Sequence, residues 1–103
     1  MSESNNRRWA VLVAVQQALL GEVTVNLRAV AVAYDDRSIR LEAYFDGEIT
    51  EEDKEAMSLV ETELIAAFPE DHTIDVILIK WPAPQLIPKN RIWAFHRKEP
   101  LLD

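Results

Sequence analysis

Residues 38–45, SIRLEAYF, alternate without interruption. Ile39, Leu41, Ala43 and Phe45 share one face, while Arg40, Glu42 and Tyr44 share the other. A period of two with one apolar face specifies a half-buried strand, which needs paired neighbours and a cover for its apolar side. One neighbour precedes it. Residues 23–34, VTVNLRAVAVAY, are rich in valine, with Val23, Val25 and Leu27 on one face. After Arg28 the alternation changes phase to Val30 and Val32, the mark of a bulge or of burial on both sides. Asp35-Asp36 between the two runs predicts a turn, and so short a connection predicts an antiparallel hairpin. Asp46-Gly47 closes the second strand with turn chemistry.

The cover is helical. Thr50 followed by Glu51, Glu52 and Asp53 is an N-terminal signature: a hydroxyl for the free N–H groups, and acids where the helix dipole favours negative charge. Met57, Val60, Leu64, Ala67 and Phe68 then recur at intervals of three and four, and Pro69 stops the helix. A second helix is predicted over residues 7–20, with Trp9, Leu12, Val13, Ala18, Leu19 and Leu20 buried on one side and Gly21 at its end. The preceding MSESNN forms a flexible tail, in which Asn5 or Asn6 supplies the N-cap. Residues 73–80, TIDVILIK, predict a strand buried on most of both faces. Trp81-Pro82-Ala83-Pro84 then opens an extended connection to Asn90, and residues 91–96 form the last strand before a charged exit over 97–103. The whole chain, 1–103, is a single α+β domain of order α-β-β-α-β-β. Its four-stranded, mainly antiparallel sheet carries two packed helices.

Composition excludes several function classes. With 11 basic and 18 acidic residues the net charge is −7, unsuited to neutralising phosphates or to docking on anionic lipid, so neither nucleic acid nor membrane is an expected partner. The absence of cysteine removes disulfides, thiol nucleophiles and thiolate metal sites, and points to the cytoplasm. RRWAVLVAVQQALL imitates a secretory signal, but Gln16-Gln17 interrupts the apolar run and Arg28 falls just before the small-residue triplets. No serine lies in a nucleophile-elbow context, and His72 and His96 show no ligand spacing, so no catalytic residue, metal or cofactor is expected. The one carboxylate inside an apolar run is Asp75, most simply placed on an outward-facing edge. Trp81, Trp93 and Phe95, although close to basic residues, read as core.

Charge is distributed unevenly. Residues 35–75 hold fourteen acids against three bases, a net −11, whereas 1–34 carry +1 and 76–103 carry +3. Crowded like charges repel one another, and a basic partner relieves that repulsion while meeting its target faster. The expected partner-binding residues are therefore Asp46, Glu48, Glu51, Glu52, Asp53 and Glu55, with Tyr44 as an aromatic anchor among them.

The stretches LRAVAVAYDDRSIRLEAYFDGEITEED, VETELIAAFPED and RIWAFHRKE resemble small bacterial immunity proteins of the contact-dependent growth inhibition and colicin type. The likeness runs from Trp9 to Glu99 and lies in size, acidity and the cysteine-free α+β pattern. The resemblance implies a non-enzymatic protein that neutralises a cognate toxin domain, often a nuclease with a basic cleft. Two alternatives stay open: a self-associating module with Trp93, Phe95 or the 23–34 strand at its seam, and a small acid–base enzyme pairing Asp75 with His72 or His96. The chain itself is compatible with a monomer or a homodimer.

Overall fold

The expected helix at the start is longer than its apolar stretch. In the computed structural model, which describes residues 3–99 with side chains from Asn6 onward, α1 spans Glu3–Leu19. Asn5 and Asn6 thus lie within its first turns and not at its cap. Residues 1–2 and 100–103, parts of the expected tail and exit, lie outside the described residues. Gly21, at φ +81°, turns the chain out of the helix, and the Glu22 N–H donates to the Leu19 carbonyl at 2.9 Å.

The strands follow as β1 (Leu27–Tyr34), β2 (Ser38–Phe45), β3 (Thr73–Lys80) and β4 (Ile92–His96), with α2 (Glu51–Ala67) between β2 and β3. They form one sheet of order β3-β2-β1-β4. β1 pairs antiparallel with both β2 and β4, whereas β3 joins β2 in parallel after the crossover through α2. The phase change in 23–34 is a bulge: Leu27 faces Phe45 and Ala29 faces Tyr44, leaving Arg28 as the extra residue. Val23–Asn26 do not join the strand, because their polar side chains are used elsewhere: Thr24 and Asn26 both bond to Asp53 on α2.

α1 and α2 cover one face of the sheet, over a core of Val11, Val15, Leu27, Val30, Ile39, Leu41, Phe45, Met57, Val60 and Leu64. The face of α1 that is buried differs from expectation. Val11, Val15, Ala18 and Leu19 point inward, while Trp9, Val13 and Leu20 are 62, 46 and 77% exposed. β3 also differs: as an edge strand under a single helix it is half exposed, not enclosed on both faces. The second face of the sheet is apolar too. Ala29, Ala31 and Tyr44 are buried there under Ile79, Trp81, Ile87 and Trp93, because the proline-containing segment 81–90 folds back across it.

α2 starts with a reciprocal capping box. The Asp53 N–H donates to the Thr50 hydroxyl at 3.1 Å, and the Thr50 N–H donates to the Asp53 carboxylate at 3.0 Å. Thr50→Ala removes half of that box and is expected to cost about 1 kcal/mol. Urea titration followed by far-UV circular dichroism measures it, and an unchanged midpoint would mean that Asp53 alone sets the start of the helix.

Candidate functional site

The seven residues expected to meet a partner fall into two groups. Asp46, Glu48, Asp53 and Tyr44 bond to other parts of the chain, Glu48 from an exposed side chain. Asp46 accepts from Arg97 Nη2 at 2.7 Å and from the Ala83 N–H at 3.0 Å; the Arg97 guanidinium, foremost, holds its carboxyl below the usual carboxylate range. Glu48 pairs with Lys80 across the turn, and that ammonium lowers its carboxyl in the same sense. Asp53 is 1% exposed. Burial alone would raise its carboxyl, but hydrogen bonds from the Thr50 N–H, Thr24 and Asn26 outweigh burial and keep it low.

Tyr44 corrects the expectation of an exposed anchor. It is 2% exposed, held between Trp81 and Trp93 with both ring centroids at 5.8 Å. Its hydroxyl donates to Glu42 at 3.1 Å, and burial pushes that hydroxyl's pKa upward. The ring belongs to the second apolar face, which segment 81–90 closes.

Glu51, Glu52 and Glu55 remain at the surface. Glu51 meets Lys54 at 3.3 Å but its side chain stays 92% exposed, so the pair leaves its charge available. Glu52 and Glu55 are exposed and, among the described residues, form no ion pair. Together with Glu22 from the α1–β1 loop they line a shallow hollow of about 210 Å³, shared with Val23, Thr24, Ala56 and Leu59. Glu22 was not singled out by charge counting, since it stands alone in an otherwise weakly charged N-terminal third. The Asp53 bonds to Thr24 and Asn26 bring it here.

The sequence pattern also misses a charged cluster at the same end of the sheet, where β1 begins and β2 and β4 end. Arg28, the bulge residue, is 3% exposed. Its Nε and Nη2 donate to the two Glu99 oxygens at 2.7 and 2.8 Å, and its Nη1 donates to the carbonyls of Trp81 and Gln85 at 2.8 and 2.7 Å. Arg97 bridges Glu99, at 2.9 Å, to Asp46. The two arginines, Arg28 foremost, hold the Glu99 carboxyl down to about 2. This cluster anchors segment 81–90 to the sheet.

The histidines are separated by the sheet. His72 precedes edge strand β3, stacks on Phe68 at 5.4 Å, and hydrogen-bonds Asp71 through Nδ1 at 3.0 Å; its Nε2 is buried with no partner among the described residues. His96 ends the other edge strand, opposite Ala29, with its ring against Trp93 at 4.6 Å. Asp75 is exposed, in register with Arg40, and the shallow hollow it lines includes neither histidine. Among the described residues no group of three His, Asp or Glu side chains is placed to hold a metal ion. No helix is long and apolar enough to cross a membrane among those residues.

Residues 8–99 match the family model described as MafI2 immunity protein. No curated protein matches the chain.

Proposed function

Because the chain belongs to the MafI2 immunity protein family, we propose that it binds and neutralises a cognate bacterial toxin domain in the cytoplasm, by occupation of a surface and without catalysis. The toxin is a nuclease, and its basic cleft meets the carboxylates at the start of α2. One observation carries this reading: Glu22, Glu52 and Glu55 converge on one hollow unmatched by any described cation, while the neighbouring Asp46 and Asp53 are consumed by internal bonds. A chain whose surface acids were all needed for its own fold would have matched these too. Leaving three together stores repulsion that a phosphate-binding groove relieves, and it steers encounter.

The test uses the cognate toxin domain, made catalytically inert and titrated by surface plasmon resonance at several salt concentrations. Reversing Glu51, Glu52 and Glu55 to lysine slows association by about tenfold or more at low salt and flattens the dependence of the rate on salt. Unchanged association at low salt would refute the acidic surface. Protection of the toxin's nucleic-acid substrate by the wild-type chain, measured alongside, checks the activity that is blocked.

A further inference from the structure

From Trp9 to Gly21 the chain carries no charged residue, although 28% of all its residues are charged. Val11, Val15, Ala18 and Leu19 of this stretch face the core. Trp9, Val13, Gln16 and Leu20, spaced by four, three and four, lie on the opposite side of α1, so the solvent-facing side is as uncharged as the buried one. A helix without charge on any side, with Trp9, Val13 and Leu20 on its outer side, exposes apolar surface that a partner can cover. Among the described residues nothing covers this outer side.

The stripe ends in a second hollow, of about 280 Å³, formed by Gln16, Leu19, Leu20 and Val23 against Ala94 and Phe95 of β4. It shares Gly21 and Val23 with the hollow lined by Glu22, Glu52 and Glu55. One loop thus carries an apolar recess on one flank and a carboxylate recess on the other. Both lie below the roughly 300–1,000 Å³ of small-molecule sites, and each suits single side chains.

We propose that the recess between the end of α1 and β4 takes an apolar side chain of the toxin domain, flanked on that partner by lysine or arginine residues that reach Glu22, Glu52 and Glu55. The assignment rests on the neutralisation reading and adds to it the anchor that the buried Tyr44 does not supply. Charge complementarity selects this occupant. A second copy of the chain carries the same −7 and would bring two like-charged rims towards each other, whereas a basic surface is attracted to the rim. The acids then govern encounter, and the desolvated apolar contact governs residence time.

Leu20→Asn combined with Val23→Asn tests the anchor without altering charge. Both side chains are substantially exposed, so the thermal midpoint should stay near that of the wild type. With the inert cognate toxin domain, dissociation is expected to accelerate by about 30-fold or more, with the association rate within about twofold. Gln16→Tyr, which crowds the same recess from an exposed helical position, is expected to speed dissociation as well, and it gives a second reading should the double variant melt early. If both variants keep the wild-type dissociation rate while Glu52→Gln with Glu55→Gln slows association, the anchor is overturned and the acidic reading stands. If the wild-type chain does not bind the domain at all, both are overturned. A doubled mass in dilute solution, reversed by the Leu20 and Val23 changes, would overturn the anchor by giving the recess to a second copy.

Discussion

Asp53→Ala should destabilise the domain by about 3 kcal/mol, far more than an ordinary first-turn acid. The carboxylate accepts from the Thr24 hydroxyl at 2.7 Å, the Asn26 amide at 3.2 Å and the Thr50 N–H at 3.0 Å. Truncation leaves those partly buried donors without their acceptor, around a carboxylate that is itself 1% exposed, and such losses are costly. The bonds join three parts of the chain: the helix start, the turn before it and the α1–β1 loop. Two consequences follow. Urea titration at neutral pH should show the loss in full, with Asp53→Asn intermediate, since one amide oxygen can still accept. Toxin binding should also weaken, although Asp53 faces no partner, because the loop it tethers carries Glu22 and Val23 between the two recesses. A variant that lost stability but bound with unchanged affinity would separate the loop from the binding surface.

Asp53 also shows where reading the sequence stops. Thr50 and three acids announce the helix correctly, since a hydroxyl and negative charge both suit an N-terminus. Yet three adjacent acids look alike in a string of letters. Only the third, at N3, reaches back to the cap, and only the fold brings Thr24 and Asn26 beside it. Charge counting therefore groups Asp46, Glu48 and Asp53 with Glu51, Glu52 and Glu55, although their partners Arg97, Lys80 and Thr24 lie far away in sequence. The strands show the same boundary. β2 was legible to the residue, because strict alternation fixes a half-buried strand, and its polar-side Tyr44 was correctly set opposite Phe45. That this second side is also dry depends on segment 81–90 folding back, and its prolines specify only an extended path. α1 was legible as a helix, but without charge over 9–21 its period marks no wet face. Hence the pattern places Trp9, Val13 and Leu20 in the core. β3 read as enclosed because its residues are apolar, while its edge position follows from strand order, a property of the whole sheet.

Arg28 and Glu99 give the second large effect, and it depends on pH. In the folded chain the Glu99 carboxyl is held to about 2, against an ordinary value of 4.5, by hydrogen bonds from Arg28 first and from Arg97. A depressed folded value means that the unfolded chain takes up the proton more readily. The stabilisation is therefore fully present above pH 4.5, declines as the pH falls below it, and is lost once the pH has passed through about 2. Its size is on the order of 3 kcal/mol. Glu99→Gln should remove most of this acid dependence and lower stability at neutral pH by a similar amount. Arg28→Met should cost about 3 kcal/mol at neutral pH, since it leaves the carbonyls of Trp81 and Gln85 without their donor and the Glu99 carboxylate with Arg97 alone. Because those carbonyls tie segment 81–90 over Tyr44 and Trp93, the methionine variant should also red-shift tryptophan fluorescence before global unfolding. The Arg28–Glu99 coupling is isolated by the double variant: if the two losses simply add, the pair is not the source of the acid sensitivity and the low Glu99 value has another cause.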